Sequence, residues 1–253
     1  MLGAIIGDIV GSRYEGKSNI SKDFEFVTRD CRFTDDTVHT IAVAKAIKEF
    51  RETREPLKDL AVKYLRELGR RYLWCGCGDM FYKWLFQSTP LPYGSYGNGA
   101  IMRISPCAYY ADNLQQALDY AEIVTSVTHN TSEALKVAKD VTMAIWLARE
   151  GMKKEKLLDS LFNNGFYIKD VVPGKFDVTC KGTFNAAIHA FMDGDSFEDT
   201  IRKAVLYGGD TDTNAAVAGS IAESYYGLSD KEKNIVYDHL DEYLLRTLED
   251  LLS

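Results

Sequence analysis

Apolar residues in this chain return at helical spacing almost everywhere and at strand spacing almost nowhere. Leu57, Leu60, Ala61, Tyr64, Leu65 and Leu68 fall at i, i+3, i+4 and i+7 positions and so share one helix face. Leu114, Ala117, Leu118, Ala121 and Val124 repeat the pattern, as do Ala134, Val137, Ala138, Val141 and Ile145. At the C-terminal end Val236, Leu240, Tyr243, Leu244, Leu248 and Leu251 form one more such face. Further helices are predicted over 3–12, 36–50, 79–87, 99–110, 154–163, 180–192, 197–206 and 212–226. Strand signals are confined to Phe24–Thr28, which alternates briefly, and to a short extended piece over 166–172. The predicted fold class is all-α.

Two of these helices carry small residues along one side. The first has Gly3, Ala4, Gly7 and Gly11; the one after Asp212 has Ala215, Ala216, Ala218, Gly219, Ser220 and Ala222. Small faces let backbones approach closely, so both segments are predicted in the middle of a bundle. No linker, composition break or internal repeat divides the 253 residues, and 46% hydrophobic content supports one core, so 1–253 reads as a single domain. The irregular stretches 13–35, 88–98 and 163–179 are long enough to be candidates for lining a pocket.

A net charge of −7 argues against nucleic-acid or acidic-membrane partners. Asp8 interrupts the apolar N-terminus, which has no basic start, so a signal peptide is not expected. Nor does any apolar run approach a membrane span. Five cysteines at irregular spacing do not read as a disulfide framework, and Cys75-Gly76-Cys77 is too short for a zinc pair. The expectation is a cytoplasmic protein with reduced thiols, acting as a monomer.

The chemistry concentrates in two segments. Thr34-Asp35-Asp36-Thr37 and Gly208-Gly209-Asp210-Thr211-Asp212-Thr213-Asn214 each place two carboxylates and flanking hydroxyls at the start of a predicted helix. A helix cap needs only one such residue. Oxygen-only clusters of this kind suit hard divalent cations such as Mg²⁺ or Mn²⁺. Brought together without them, the acids repel: two unit charges ~4 Å apart cost about 4 kcal/mol at an effective dielectric near 20. Glu15, ending a Gly-bounded turn after the first helix, could join as a fifth acid.

Gly94-Ser95-Tyr96-Gly97-Asn98-Gly99 precedes another predicted helix and reads equally as a turn or as a cradle for a phosphate. Tyr96 could stack on a base or ribose. Thr128-His129-Asn130-Thr131 precedes a further helix, where Asn130 and Glu133 resemble a variant capping box and His129 could touch substrate. His39, His189 and His239 fall inside predicted helices and receive no role. No Gly-X-Ser-X-Gly elbow or Cys/His pair indicates a nucleophile, so the chemistry points to metal-assisted attack by water.

These ordered motifs, from Gly7–Ser12 with Glu15 through Phe33–Thr37, Gly94–Met102 and Thr128-His129 to Gly208–Thr213, resemble those of the ADP-ribosylglycohydrolases over almost the whole chain. The resemblance implies a compact, orthogonal multi-helix bundle with a dinuclear Mg²⁺ or Mn²⁺ site in a central cleft. It implies Thr34, Asp35, Asp36, Asp210, Asp212 and Thr213 as metal ligands, with Glu15, Asp36 and Asp212 carrying catalysis. It also implies that Gly94, Ser95, Tyr96, Gly97, Asn98 and Gly99 bind a diphosphate and that His129 lies near an adenosine. Asp79 sits near the position of an acid that some relatives use. The expected activity is metal-dependent release of ADP-ribose from an ADP-ribosylated protein or small molecule. The rivals are a non-catalytic ADP-ribose or nucleotide-binding module and a metal-dependent phosphohydrolase.

Overall fold

The structure, a computed structural model, describes residues 1–17 and 19–253; Ser18, inside the predicted 13–35 stretch, lies outside them. Thirteen α-helices follow in order among the described residues: α1 (Leu2–Ser12), α2 (Asp35–Thr53), α3 (Leu57–Arg71), α4 (Asp79–Leu85), α5 (Ser105–Tyr110), α6 (Leu114–Ser126) and α7 (Ser132–Arg149). Then come α8 (Lys154–Asn163), α9 (Cys180–Asp193), α10 (Phe197–Leu206), α11 (Thr211–Tyr226), α12 (Asp230–His239) and α13 (Glu242–Leu252). Short 3₁₀ turns occupy Leu73–Cys75 and Asn98–Ala100.

The two small-faced helices are the centre of the bundle. Every residue of α1 from Leu2 to Gly11 and of α11 from Thr211 to Ala222 is buried. They run antiparallel with backbone against backbone. A Cβ added at Gly3 would lie 2.3 Å from the Gly219 carbonyl oxygen, one at Gly7 2.1 Å from that of Ala215, and one at Gly11 2.4 Å from that of Thr211. The four-residue spacing of these glycines is what keeps one helix face flat. Thr211 Oγ1 donates to the Gly11 carbonyl at 2.8 Å and fixes the register at the end where the acids sit. Around this pair α2, α7, α9 and α10 pack with their apolar faces inward. The amphipathic α3 buries Leu57, Leu60, Ala61, Tyr64, Leu65 and Leu68, the face read from its periodicity.

Four predicted elements differ. The helix expected over 99–110 is a 3₁₀ turn followed by the short α5, where Pro106 sits in the first turn and cannot continue a preceding helix. The single C-terminal face is split between α12 and α13 at extended Leu240, where Asp241 accepts from Leu244 N at 2.9 Å and caps a new start. Neither 24–28 nor 166–172 is a strand: Phe24 packs on Tyr14 with ring centroids 5.0 Å apart, and Phe166 on Phe184 at 4.7 Å. Their aromatic residues anchor loops to the helical core.

The close approach of α1 and α11 makes Gly7 a sensitive position. Gly7→Ala is expected to lower stability by about 1–3 kcal/mol through overpacking, read as a fall in Tm of roughly 2–4 °C per kcal/mol. Gly78→Ala, where an added Cβ meets nothing within 4 Å, is the control expected to leave the thermal melt unchanged.

Candidate metal centre and its cavity

Asp8 is the hinge of the site. It sits in α1 among Ile5, Ile6, Ile9 and Val10 and is fully buried. Its Oδ2 accepts from Thr34 N at 2.9 Å and Thr37 N at 3.1 Å, and its Oδ1 from Thr34 Oγ1 at 2.7 Å. The Thr37 hydroxyl also donates to Oδ2. One carboxylate of α1 therefore satisfies backbone N–H groups at the start of α2, where a negative charge is favoured. Thr34 Oγ1 additionally accepts from Asp36 N at 3.4 Å, closing the cap.

The other acids arrive by a turn only glycine fits. Gly208 and Gly209 have φ of 71° and 74°, and a Cβ at Gly209 would lie 2.3 Å from the Lys175 carbonyl oxygen. Gly16 N donates to the Gly209 carbonyl at 2.8 Å, so the turn also holds the segment that carries Glu15. Asp210 and Asp212 thus enter α11 facing the start of α2. Thr213 Oγ1 donates to Asp36 Oδ2 at 3.3 Å, a direct bond between the two acidic segments.

Oxygens of Asp8, Asp36 and Asp212 lie within 4.8 Å of one another, as do those of Glu15, Asp210 and Asp212. Asp212 belongs to both groups. Asp36 Oδ1 is buried with no partner among the described residues, an orphan acceptor beside like charges. An oxygen-only set with an unpaired buried carboxylate oxygen fits a hard divalent cation.

The electrostatics agree. Burial pushes Asp8 up to about 6 against the bonds from Thr34 and Thr37, and pushes Asp35 up to about 7 with help from the Asp8 charge. Asp36 and Asp212 are held well above the ordinary carboxylate range, first by burial and then by Asp8 and Asp210 respectively. Glu15 is raised by burial and by Asp210, with Arg32 opposing.

These acids open into a cavity of about 440 Å³. Glu15, Asp35, Asp36, Asp210, Asp212 and Thr213 line it together with Ser95, Gly97, Asn98, Gly99 and His129. Asp79 also lines it. Three predicted site residues stand elsewhere: Gly94 and Tyr96 are outside the lining, Tyr96 being 55% exposed, and the Thr34 hydroxyl faces Asp8. The glycine loop also differs from a free cradle. Gly97 N donates to Ser95 Oγ at 3.0 Å and Asn98 N to the Val178 carbonyl at 2.8 Å, so both amides have partners. The Asn98 side chain donates to Asp210 Oδ2 at 2.5 Å and Thr183 Oγ1 at 3.0 Å.

His129 Nδ1 bonds the Thr128 hydroxyl at 2.8 Å, and burial with the nearby Arg103 charge lowers its pKa to about 3, so it is neutral. The helix behind it is capped by Thr131, whose Oγ1 accepts from Ala134 N at 3.2 Å, and not by Asn130. His39, which has no expected role, lines the cavity; its Nδ1 lies 3.8 Å from Asp35 Oδ2 and its ring centre 4.3 Å from that of Phe81. Asp8 and Arg103 are the other residues missed. Asp8 was signalled by standing alone as a charge in an apolar helix; Arg103 had no local signal.

A pH dependence follows for the metal-stripped protein. Unfolded aspartates release their protons near 3.8, whereas Asp8 and Asp35 hold theirs to about 6 and 7 when folded. Between those values the native state binds more protons, so stability falls as pH rises. Thermal melts with chelator should show Tm decreasing from pH ~4 to ~8, and Mg²⁺ or Mn²⁺ should restore it at the alkaline end by binding the native state. A Tm that rises with pH and ignores both ions would remove the acidic cluster as a metal centre.

Comparison with known proteins identifies the family. A family model described as ADP-ribosylglycohydrolase matches residues 1–249. The ADP-ribosylhydrolase ARH3 of Xenopus tropicalis is 25% identical, covering 90% of this chain and 86% of its own. The ADP-ribosyl dinitrogen-reductase glycohydrolase of Rhodospirillum rubrum is 24% identical, over 90% and 85% respectively. A solved structure described as an ADP-ribosylglycohydrolase-related protein complex superposes with a TM-score of 0.72 at 26% identity, covering 97% of this chain and 90% of that one. With the helical bundle, the converging acids and a match over nearly its full length, the chain belongs to the ADP-ribosylglycohydrolase family.

Proposed function

We propose that the chain is a metal-dependent hydrolase that cleaves the glycosidic bond at the anomeric ribose carbon and releases ADP-ribose from an ADP-ribosylated protein or small molecule. The observation that carries this reading is the sharing of Asp212 between two groups of mutually close acids, two adjoining oxygen clusters that would each suit a hard divalent cation. Asp35, Asp36, Asp210 and Asp212, with Thr213, would hold two Mg²⁺ or Mn²⁺. When bound, such ions neutralise the carboxylates and supply Lewis acidity toward ribose hydroxyls and water.

The remaining work falls to the chain. Glu15 lines the cavity with a raised pKa, which suits a carboxylate that takes a proton from an attacking water. Asp8 holds the start of α2 so that Asp35 and Asp36 reach the cavity. Gly97 and Gly99 leave the lining without side chains where a diphosphate would approach, and Ser95 adds a hydroxyl. Anchoring the diphosphate there would orient the ribose against the acids, and bond cleavage would proceed with oxocarbenium character. A volume of about 440 Å³ falls within the usual range for a small-molecule site.

The rivals fit less well. A module that only binds nucleotide has no need of both acid groups. A phosphohydrolase of the His-Asp type needs several histidines together, whereas His189 Nε2 bonds the Lys169 carbonyl at 2.9 Å and His239 Nδ1 that of Ile235 at 2.8 Å.

Asp36→Ala and Asp212→Ala are expected to lower turnover at least ~100-fold while the helical circular-dichroism spectrum persists, the loss typical of removing a metal-site residue. The assay is a panel of arginine-, serine- and acetyl-linked ADP-ribose with Mg²⁺ or Mn²⁺, the product identified by mass. Free ADP-ribose is expected; AMP-containing fragments would establish the phosphohydrolase instead.

Gly99→Val separates recognition from chemistry. A Cβ there already comes within 3.4 Å of His129 Cε1, so the branched side chain must enter the cavity. Calorimetry should show weakened ADP-ribose binding with metal content near wild type; unchanged affinity would mean that the loop does not meet the ligand.

A further inference from the structure

Arg103 is 1% exposed and lines the cavity, yet no carboxylate neutralises it at ion-pair distance among the described residues. Its Nε has no partner, its guanidinium lies 5.7 Å from the Phe81 ring centre, and its Nη2 donates to Thr128 Oγ1 at 2.5 Å. A buried cation with so little compensation is costly unless it has a task.

The task can be read from proton counting. Arginine only donates, so Thr128 Oγ1 accepts from Arg103 and has a single proton left to give. Two acceptors stand in hydrogen-bond geometry, His129 Nδ1 at 2.8 Å and the Thr125 carbonyl at 3.5 Å; the Tyr93 hydroxyl, a third neighbour of this oxygen, makes no bond of that geometry with it. That carbonyl already accepts from Thr128 N at 3.2 Å and His129 N at 2.9 Å. The shorter bond, to an acceptor with no other partner, takes the proton, and the guanidinium behind the hydroxyl polarises it in the same direction. Nδ1 is then an acceptor, and the ring proton sits on Nε2.

We propose that Arg103 and Thr128 are positioning residues that fix His129 in the Nε2–H tautomer, presenting one uncharged donor to a phosphate oxygen of the substrate. Nε2 faces the glycine loop: a Cβ on Gly99 would lie 3.5 Å from it and one on Gly97 3.8 Å. The Tyr93 ring, 5.4 Å from the imidazole, holds its plane from the side. Gly97 N and Asn98 N already have partners, so a side-chain donor at this face supplies what those backbone amides do not. Because His129 stays neutral down to about pH 3, its hydrogen-bonding character is set by tautomer and not by charge. The phosphate part of the inference rests on the ADP-ribose reading; the tautomer part does not.

Nitrogen-15 histidine spectra of the full chain test it. Without ligand, wild type and Thr128→Ser should show protonated Nε2 and bare Nδ1 at His129, and Thr128→Val should lose that preference. Wild type with the proton on Nδ1, or Thr128→Val with an unchanged tautomer, overturns the relay. Thr128→Val strands the Arg103 charge; if it does not fold, Arg103→Met/Thr128→Val removes both groups and is expected to lose the same preference. ADP-ribose is then titrated into metal-loaded protein. Wild type and Thr128→Ser should bind alike, the relay-deficient variant about tenfold more weakly, as for one neutral hydrogen bond. The Nε2–H resonance should move on binding. Binding with that resonance unmoved overturns the donor role, while absence of ADP-ribose binding in wild type defeats the functional reading and leaves the tautomer to the ligand-free spectra.

Discussion

Everything about the site depends on two helix backbones touching. Without a Cβ at Gly3, Gly7 and Gly11, α1 lies directly on α11, and the C-terminal end of one meets the N-terminal end of the other. Ordinary helix pairs keep their axes about 8–10 Å apart because side chains intervene. Here that spacing is closed, and Asp8 on α1 comes within 4.8 Å of Asp212 on α11, a pair separated by most of the chain. The apolar helices around this pair then act as a clamp whose burial opposes the repulsion at its end.

That repulsion is the fold's central conflict. Four aspartates, three of them buried and Asp35 half-buried, are raised in pKa mainly by burial, with like charges adding to it at Asp35, Asp36 and Asp212. Asp8 shows how the fold manages one of them: four donors from a single helix start surround it. Asp36 shows the opposite, with one oxygen held by Thr213 and the other bare. The first arrangement is structural scaffolding and the second an invitation to a cation. Sites of function are where local rules of polar satisfaction are broken in this way.

The helices were legible in the sequence because their apolar faces are what the bundle buries; each face-forming residue of α3 read from its spacing is buried. The small faces of α1 and α11 likewise pointed to the centre. Boundaries failed where a local residue outweighed periodicity, as Pro106 and Asp241 did. Among the candidate site residues, the acids were legible because two carboxylates at a helix start exceed what capping needs. The pairing of Asn98 N with Val178, and of the Asn98 amide with Asp210, was not legible, since both partners are remote in sequence. His39 was overlooked for the same reason, and the lone charge of Asp8 in an apolar helix marked that residue without naming its partners: in a helix, a polar residue acquires its meaning from what the fold sets opposite it.

The Asn98–Asp210 bond has a thermodynamic consequence. One end belongs to the glycine loop and the other to the acidic cluster, and the amide is also tied to Thr183 on α9. Charge drawn away from the Asp210 carboxylate weakens its hold on the amide; a ligand that reorders the loop alters how Asp210 presents its oxygens. The two halves of the cavity are therefore not independent reservoirs of affinity. By linkage, whatever factor an occupant of one half imposes on the other is returned in equal measure.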